Sequence, residues 1–330
     1  MSNRRVFDEW LPMCAAAALV AGVASAAYAQ PRTEYTVPRT QYGHPDLQGI
    51  WSNAVVTPLQ RPAEFGDKAF LTEAEAEEYE RRQVASRNRD NRTADRSVDV
   101  RNAYNDFWWD SGTNVVATRR TSLIIDPPDG RIPERTPAAN QRLAAEPDTR
   151  NPDTYLQHTG GPEDLDLMTR CIRINSAGPP MLPSAYNNNY QVVQTESHVL
   201  IINEMVHETR IIPLDGRAPL PGNMPHWLGS SRGHWEGDTL VVETTNFMEE
   251  ATFQGSGANM HLVERFTRID ENILLYEFTV DDPESFAAPW TAQIPSVKTD
   301  GLMYEYACHE GNRGLERILR GARARERAEQ

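Results

Sequence analysis

HLVERFTRIDENILLYEFTV, residues 261–280, holds two runs in which apolar and polar side chains alternate, Leu262–Ile269 and Ile273–Val280, joined across Asp270-Glu271-Asn272. A period of two with turn residues between the runs predicts a β-hairpin. The same pattern extends outward in both directions. Upstream, Gly233–Trp235 meets Thr239–Thr245 across Glu236-Gly237-Asp238, and Tyr190–Gln194, His198–Val206 and Thr209–Pro213 precede an Asp215-Gly216 turn. Downstream, Ala292–Lys298 and Met303–Ala307 join at Asp300-Gly301, and near the front Ser122–Ile125 and Arg131–Pro133 flank a Pro-Pro-Asp-Gly turn. The sum is about ten or eleven strands in up-and-down order without alternating helices. A βαβ architecture is therefore excluded. The expectation is an all-β protein, an antiparallel up-and-down barrel or a sandwich.

Two helices interrupt the pattern. Phe70 to Asp90 opens on the capping box Thr72-Glu73-Ala74-Glu75, and Leu315 to Arg327 lies in an Arg-rich terminal stretch. The first belongs to a helical insertion over about 66–110, and a long loop is expected over about 133–162, within a single β-rich domain spanning 30–330.

The first 29 residues read as an export signal: Arg4 and Arg5, a short apolar run from Cys14 to Val23, and Ala27-Tyr28-Ala29 before a cleavage point at Gln30. Asn3-Arg4-Arg5-Val6-Phe7 leaves the twin-arginine route open. The apolar run falls short of the roughly 20 residues that span a bilayer, so a periplasmic or secreted chain without a membrane span is expected. Thirty-three basic against 47 acidic residues give a net charge of −14, which argues against a nucleic-acid partner. Beyond the signal only Cys171 and Cys308 remain. In an oxidising compartment they read as one disulfide, with two separate thiols as the alternative.

No nucleophile elbow, phosphate loop or dinucleotide fingerprint is present. His207-Glu208 begins like a zinc-protease helix, but Ile211 stands where a second histidine is needed, and no metal or other cofactor is expected. The informative residues are polar groups on apolar strands. Asn203 and His207 fall in phase with Val199 and Ile201, Glu243 with Val241, Glu277 with Leu275, and His309 with Met303. If those faces point inward, carboxylates and imidazoles line one cavity, where burial tunes them for acid–base work; if they point outward, they are ordinary surface groups. An aromatic and polar set, Trp108, Asp110, Trp227, Arg232 and His234, suits a ligand pocket, with core packing as the plain alternative.

Gly49-Ile50-Trp51, within PDLQGIW at 45–51, resembles the G-x-W that opens the first strand of lipocalin-like barrels. From about residue 43 to 314 the chain is also similar to a large group of secreted bacterial proteins of unassigned function. The resemblance is carried by RTSLIIDPPDGRIP (120–133), RIIPLDGR (210–217), SRGHWEGDTLVVETTNF (231–247), VERFTR (263–268) and YEYACHEGN (304–312). It implies a secreted, β-rich protein and assigns no residue a role.

Three functional expectations follow. The first is an enzyme acting on a small organic molecule by cofactor-free acid–base chemistry of the lyase, isomerase or hydrolase type. His207 would serve as base, Glu277, Glu243 or His309 as acid or orienting partner, and Arg232 and Asp110 would position the substrate. The second is a non-catalytic binder of a hydrophobic ligand, and the third is carbohydrate recognition by the Trp clusters.

Overall fold

The computed structural model describes residues 35–88, 90, 94–96, 98–99, 108–145, 159–174, 176–251 and 253–330. The signal-like segment 1–29 lies outside these residues, as do parts of the insertion and of the long loop.

The strands, in chain order, are β1 (Gly49–Ser52), β2 (Ile124–Asp126), β3 (Asn189–Gln194), β4 (His198–Asn203), β5 (Thr209–Pro213), β6 (Ser230–Glu236), β7 (Thr239–Thr245), β8 (His261–Asp270), β9 (Ile273–Asp281) and β10 (Trp290–Thr299). The 261–280 hairpin is β8 and β9, and burial alternates residue by residue along both. Two meanders, β3–β5 and β6–β10, are joined by β1, which pairs with β3 on one side and β10 on the other. The resulting antiparallel order is β5-β4-β3-β1-β10-β9-β8-β7-β6, with β2 added beside β10. The sheet curls until β5 and β6 lie side by side, yet these two strands share no hydrogen-bonded ladder, so the barrel stays open along one seam. Gly233 on β6 makes the approach possible: a Cβ there would stand 2.8 Å from the side chains of both Ile212 and Leu214.

Large apolar side chains fill the concave face. Trp51, Tyr190, Phe266, Tyr276, Phe278 and Trp290 are buried together with Val199, Ile201, Ile212 and Leu274. Arg268 closes one end, donating to the carbonyls of Asp46 (3.0 Å) and Glu271 (2.9 Å) above the Trp51 ring.

The helices are α1 (Glu73–Arg87), α2 (Pro137–Ala145) and α3 (Arg313–Glu329). The capping box at the start of α1 is complete: Glu75 N–H donates to Thr72 Oγ1 and Thr72 N–H to Glu75 Oε2. Lys68 and these bonds pull the exposed Glu75 carboxyl down to about 2. The stretch read as one long loop contains α2. Residues 131–133 and 303–307 are not strands, because neither finds a partner ladder. β4 stops at Asn203 rather than Val206. The Asn203 N–H donates to the Glu208 carbonyl (2.8 Å) and closes a turn in which Val206 and His207 take φ of 53° and 44°.

Cys171 and Cys308 form a disulfide with Cα atoms 5.8 Å apart. Among the described residues no helix is long and apolar enough to cross a membrane.

Candidate active site at the sheet seam

Thr209-Arg210-Ile211-Ile212 alternates outward and inward along β5, which sends Arg210 to the same side as Ile212, into the core. On β8, Glu264 falls between Leu262 and Phe266 for the same reason. The two meet as a bidentate ion pair with side chains 2% and 0% exposed: Arg210 Nη1 donates to Glu264 Oε1 (3.0 Å) and Nη2 to Oε2. Tyr276 on β9 donates its hydroxyl proton to Glu264 Oε1 (2.8 Å) and accepts the Met181 N–H (3.0 Å). Arg210 Nη2 also reaches Ser231 Oγ (3.3 Å) on β6, which is bonded to Thr244 Oγ1 (2.9 Å). This side-chain chain bridges the seam that the backbone leaves open.

Burial bears on both Arg210 and Tyr276. It works against the Arg210 charge, but Glu264 outweighs it and leaves the guanidinium pKa above its ordinary value. Burial, and then the Glu264 charge, push the Tyr276 hydroxyl well above the ordinary tyrosine range. Arg210 Nε has no hydrogen-bond partner among the described residues, although the atom is buried.

A cleft of about 340 Å³ lies over this network, between the start of β5 and the start of β6. Its walls are Glu208, Thr209 and Arg210 from the start of β5, His226 and Trp227 from the connection ahead of β6, Ser231, and Ile172. Glu208 is half-buried there. Desolvation pushes its carboxyl above the usual range, against the pull of His207 and Arg210. The Arg170 guanidinium lies 5.4 Å from the Trp227 ring centroid. A carboxyl raised above its ordinary range, an imidazole, a fixed guanidinium and an indole thus share one cleft. That set can exchange protons with a bound molecule and hold it.

The residues singled out from sequence do not converge as a group. Trp227 lines the cleft, and Asn203 is buried in the turn below it, its Nδ2 without a hydrogen-bond partner among the described residues. His207 is exposed on the far side of that turn, with Nδ1 3.3 Å from the Tyr306 carbonyl and 3.9 Å from Glu305. Glu243 is exposed on β7 and faces His261 at 3.2 Å. Glu277 lies on the outer side of β9, where it accepts from Gln293 Nε2 (3.1 Å). His309 is exposed in the C-terminal segment. Arg232 donates to the Ala218 and Ser231 carbonyls, and exposed His234 sits 3.2 Å from Glu236. Trp108 is 59% exposed. Asp110 is exposed in area, yet desolvation of its carboxyl, and then Glu204, raise its pKa. The faces expected to point inward at Glu243 and Glu277 are the outer faces, because Leu240, Val242 and Thr244 on β7 and Leu274, Tyr276 and Phe278 on β9 occupy the buried phase.

Sequence reading missed Glu208, Arg210, His226 and Glu264. For Arg210 and Glu264 the signal was present, a charge in phase with the apolar positions of a strand. Among the described residues no group of three or more His, Cys, Asp or Glu is placed to hold a metal ion. Comparison of the chain with protein-family models, with curated proteins and with solved structures finds no match in any of the three.

Proposed function

We propose that the protein is an enzyme of the periplasm or extracellular space that performs acid–base chemistry on a small organic molecule held in the seam cleft. The observation that carries this reading is the half-buried Glu208, its carboxyl raised by desolvation, on the same cleft wall as a buried Arg210 with an unpaired N–H. Raising a carboxyl above its ordinary range moves it in the direction that favours giving and taking a proton at the working pH. In the proposed arrangement Glu208 transfers the proton and His226 serves the complementary step. Arg210 Nε donates to a substrate oxygen, and the Trp227 ring carries the apolar part of the molecule. Lyase, isomerase and hydrolase reactions on a neutral substrate all fit this set. Location rests on the signal-like residues 1–29. The disulfide and the lack of a membrane-spanning helix among the described residues are consistent with it. A lipocalin-like binder would hold its ligand along the barrel axis, where Trp51, Tyr276 and Trp290 stand instead.

The test is native mass spectrometry of the chain purified from the periplasm of its source, beside Glu208→Gln and Trp227→Ala variants. The expected result is an organic species that is lost with Trp227→Ala and retained unconverted with Glu208→Gln. A Glu208 carboxyl that titrates in the ordinary range by carbon-13 NMR would remove the basis of the proposal.

A further inference from the structure

A second and larger cleft, about 800 Å³, is lined by Arg170, Arg173 and Ile174 of the disulfide-anchored segment whose Ile172 lines the seam cleft. Its volume suits a drug-sized molecule. Leu165, Leu167, Met168, Ile174 and Leu182 supply apolar wall, and Met168 is 54% exposed there.

The charges in this cleft are unequal in number and in freedom. Three guanidiniums line it, and all three are turned to the scaffold. Arg142 donates to the Gly255 carbonyl (3.0 Å), Arg173 to the Pro179 carbonyl (2.9 Å), and Arg170 to the Glu163 carbonyl (3.3 Å) while lying over Trp227. Five carboxylates line it too. Asp164 is held by the Gly161 N–H (2.8 Å), Asp166 by Thr169, and Glu249 by the Ala258 N–H (3.1 Å). The side chains of Glu163 and Glu250, one from each of two separate segments, have no hydrogen bond or ion pair among the described residues. An independent observation sits among the same lining residues: Ser176 is 6% exposed, and its hydroxyl has no hydrogen-bond partner among the described residues. A buried hydroxyl left unpaired is a costly feature that a bound polar group relieves.

We infer that this cleft binds an amphiphilic organic cation, a primary or secondary ammonium on an apolar body. The ammonium pairs with Glu163 and Glu250, the Ser176 hydroxyl accepts one of its N–H groups, and the leucines and Met168 cover the body. An anion would meet five carboxylates and no uncommitted guanidinium. The net charge of −14 favours encounter with cations over the whole surface.

Isothermal titration of the full chain at low salt tests this with phenethylamine as probe and phenylacetate as its charge-reversed counterpart. The amine is expected to bind at one site and phenylacetate to give no heat. A Glu163→Gln/Glu250→Gln double variant should weaken the amine about tenfold or more, the loss of charge-assisted pairing. Both side chains are exposed and unpaired, so the variant should keep the wild-type circular dichroism. Glu208→Gln, whose side chain lines the seam cleft and not this one, should leave amine binding unchanged and so separates this site from the proposed catalytic one. No amine binding, equal binding of phenylacetate, or undiminished binding by the double variant would each overturn the inference.

Discussion

Replacing Glu264 by Gln preserves the size of the side chain and removes one charge at 0% exposure, which makes it the sharpest probe of the seam. Arg210 would keep its positive charge with the bidentate partner gone, and Tyr276 would face an amide in place of a carboxylate. Breaking a buried ion pair from one side costs about 3–5 kcal/mol, because the surviving charge is left uncompensated. At roughly 2–4 °C per kcal/mol for a large domain, the melting temperature should fall by about 6–20 °C. Urea unfolding at pH 7, followed by tryptophan fluorescence, reads the same difference as a midpoint shift at constant m. The control is Arg210→Met/Glu264→Leu, which removes both charges and places apolar groups beside Leu262 and Phe266. This double variant should lie closer to the wild type than either single variant does, since apolar replacement of a buried pair is often neutral or stabilising. The reasoning is refuted if Glu264→Gln costs less than about 1 kcal/mol, the scale of an exposed pair, or if the double variant loses the sum of the two single effects.

Other consequences are equally open to measurement. Native Glu208 keeps its proton to higher pH than it does in the unfolded chain, where its ordinary value is 4.5. Its contribution to stability is therefore full below that value and fades as pH rises through the raised native one. Glu208→Gln should accordingly gain on the wild type between pH 4 and pH 8 in paired denaturation curves, and parallel curves would show that the carboxyl is not raised. Breaking the Cys171–Cys308 bridge by Cys308→Ser removes a cross-link over a sequence separation of 137. On the chain-entropy model this costs up to about 5 kcal/mol, and hydrogen exchange should show faster opening of residues 302–329. Gly233→Val would press a branched side chain on Ile212 and Leu214, forcing β5 away from β6. A loss of about 1–3 kcal/mol is expected by overpacking, and an unchanged melting temperature would mean that the seam is looser than its geometry implies.

Much of the architecture was legible because the strands carry strict alternation. Leu262, Phe266, Leu274, Tyr276 and Phe278 declare one buried face with no long-range information. What alternation cannot declare is which phase faces in when both carry apolar residues. Glu277 shares its face with Leu275, and Glu243 lies next to buried Val242. Tyr276 and Phe278 take the buried phase of β9 and Leu240, Val242 and Thr244 that of β7, and these carboxylates turn outward. Met303–Ala307 reads as a strand by composition, yet it forms no ladder with the sheet, which is a fact of topology rather than of local sequence. The seam cleft was hidden for a related reason. Glu208, His226 and Ser231 come from a strand entry, a connection and a second strand that only the curl of the sheet brings together.

The position of β1 has a consequence for the order of assembly. Ile50 pairs with Gln191 on one side and Thr299 on the other, so the strand nearest the start of the sheet waits for partners made much later. Each meander can zip from its own turns, a local and fast process, but joining them requires closure of two long loops around one four-residue strand. During synthesis the first strand can pair with β3 once residue 194 is made, but its other edge stays open until the end of β10 is available. A chain built this way holds off completion of its sheet until β10 has emerged.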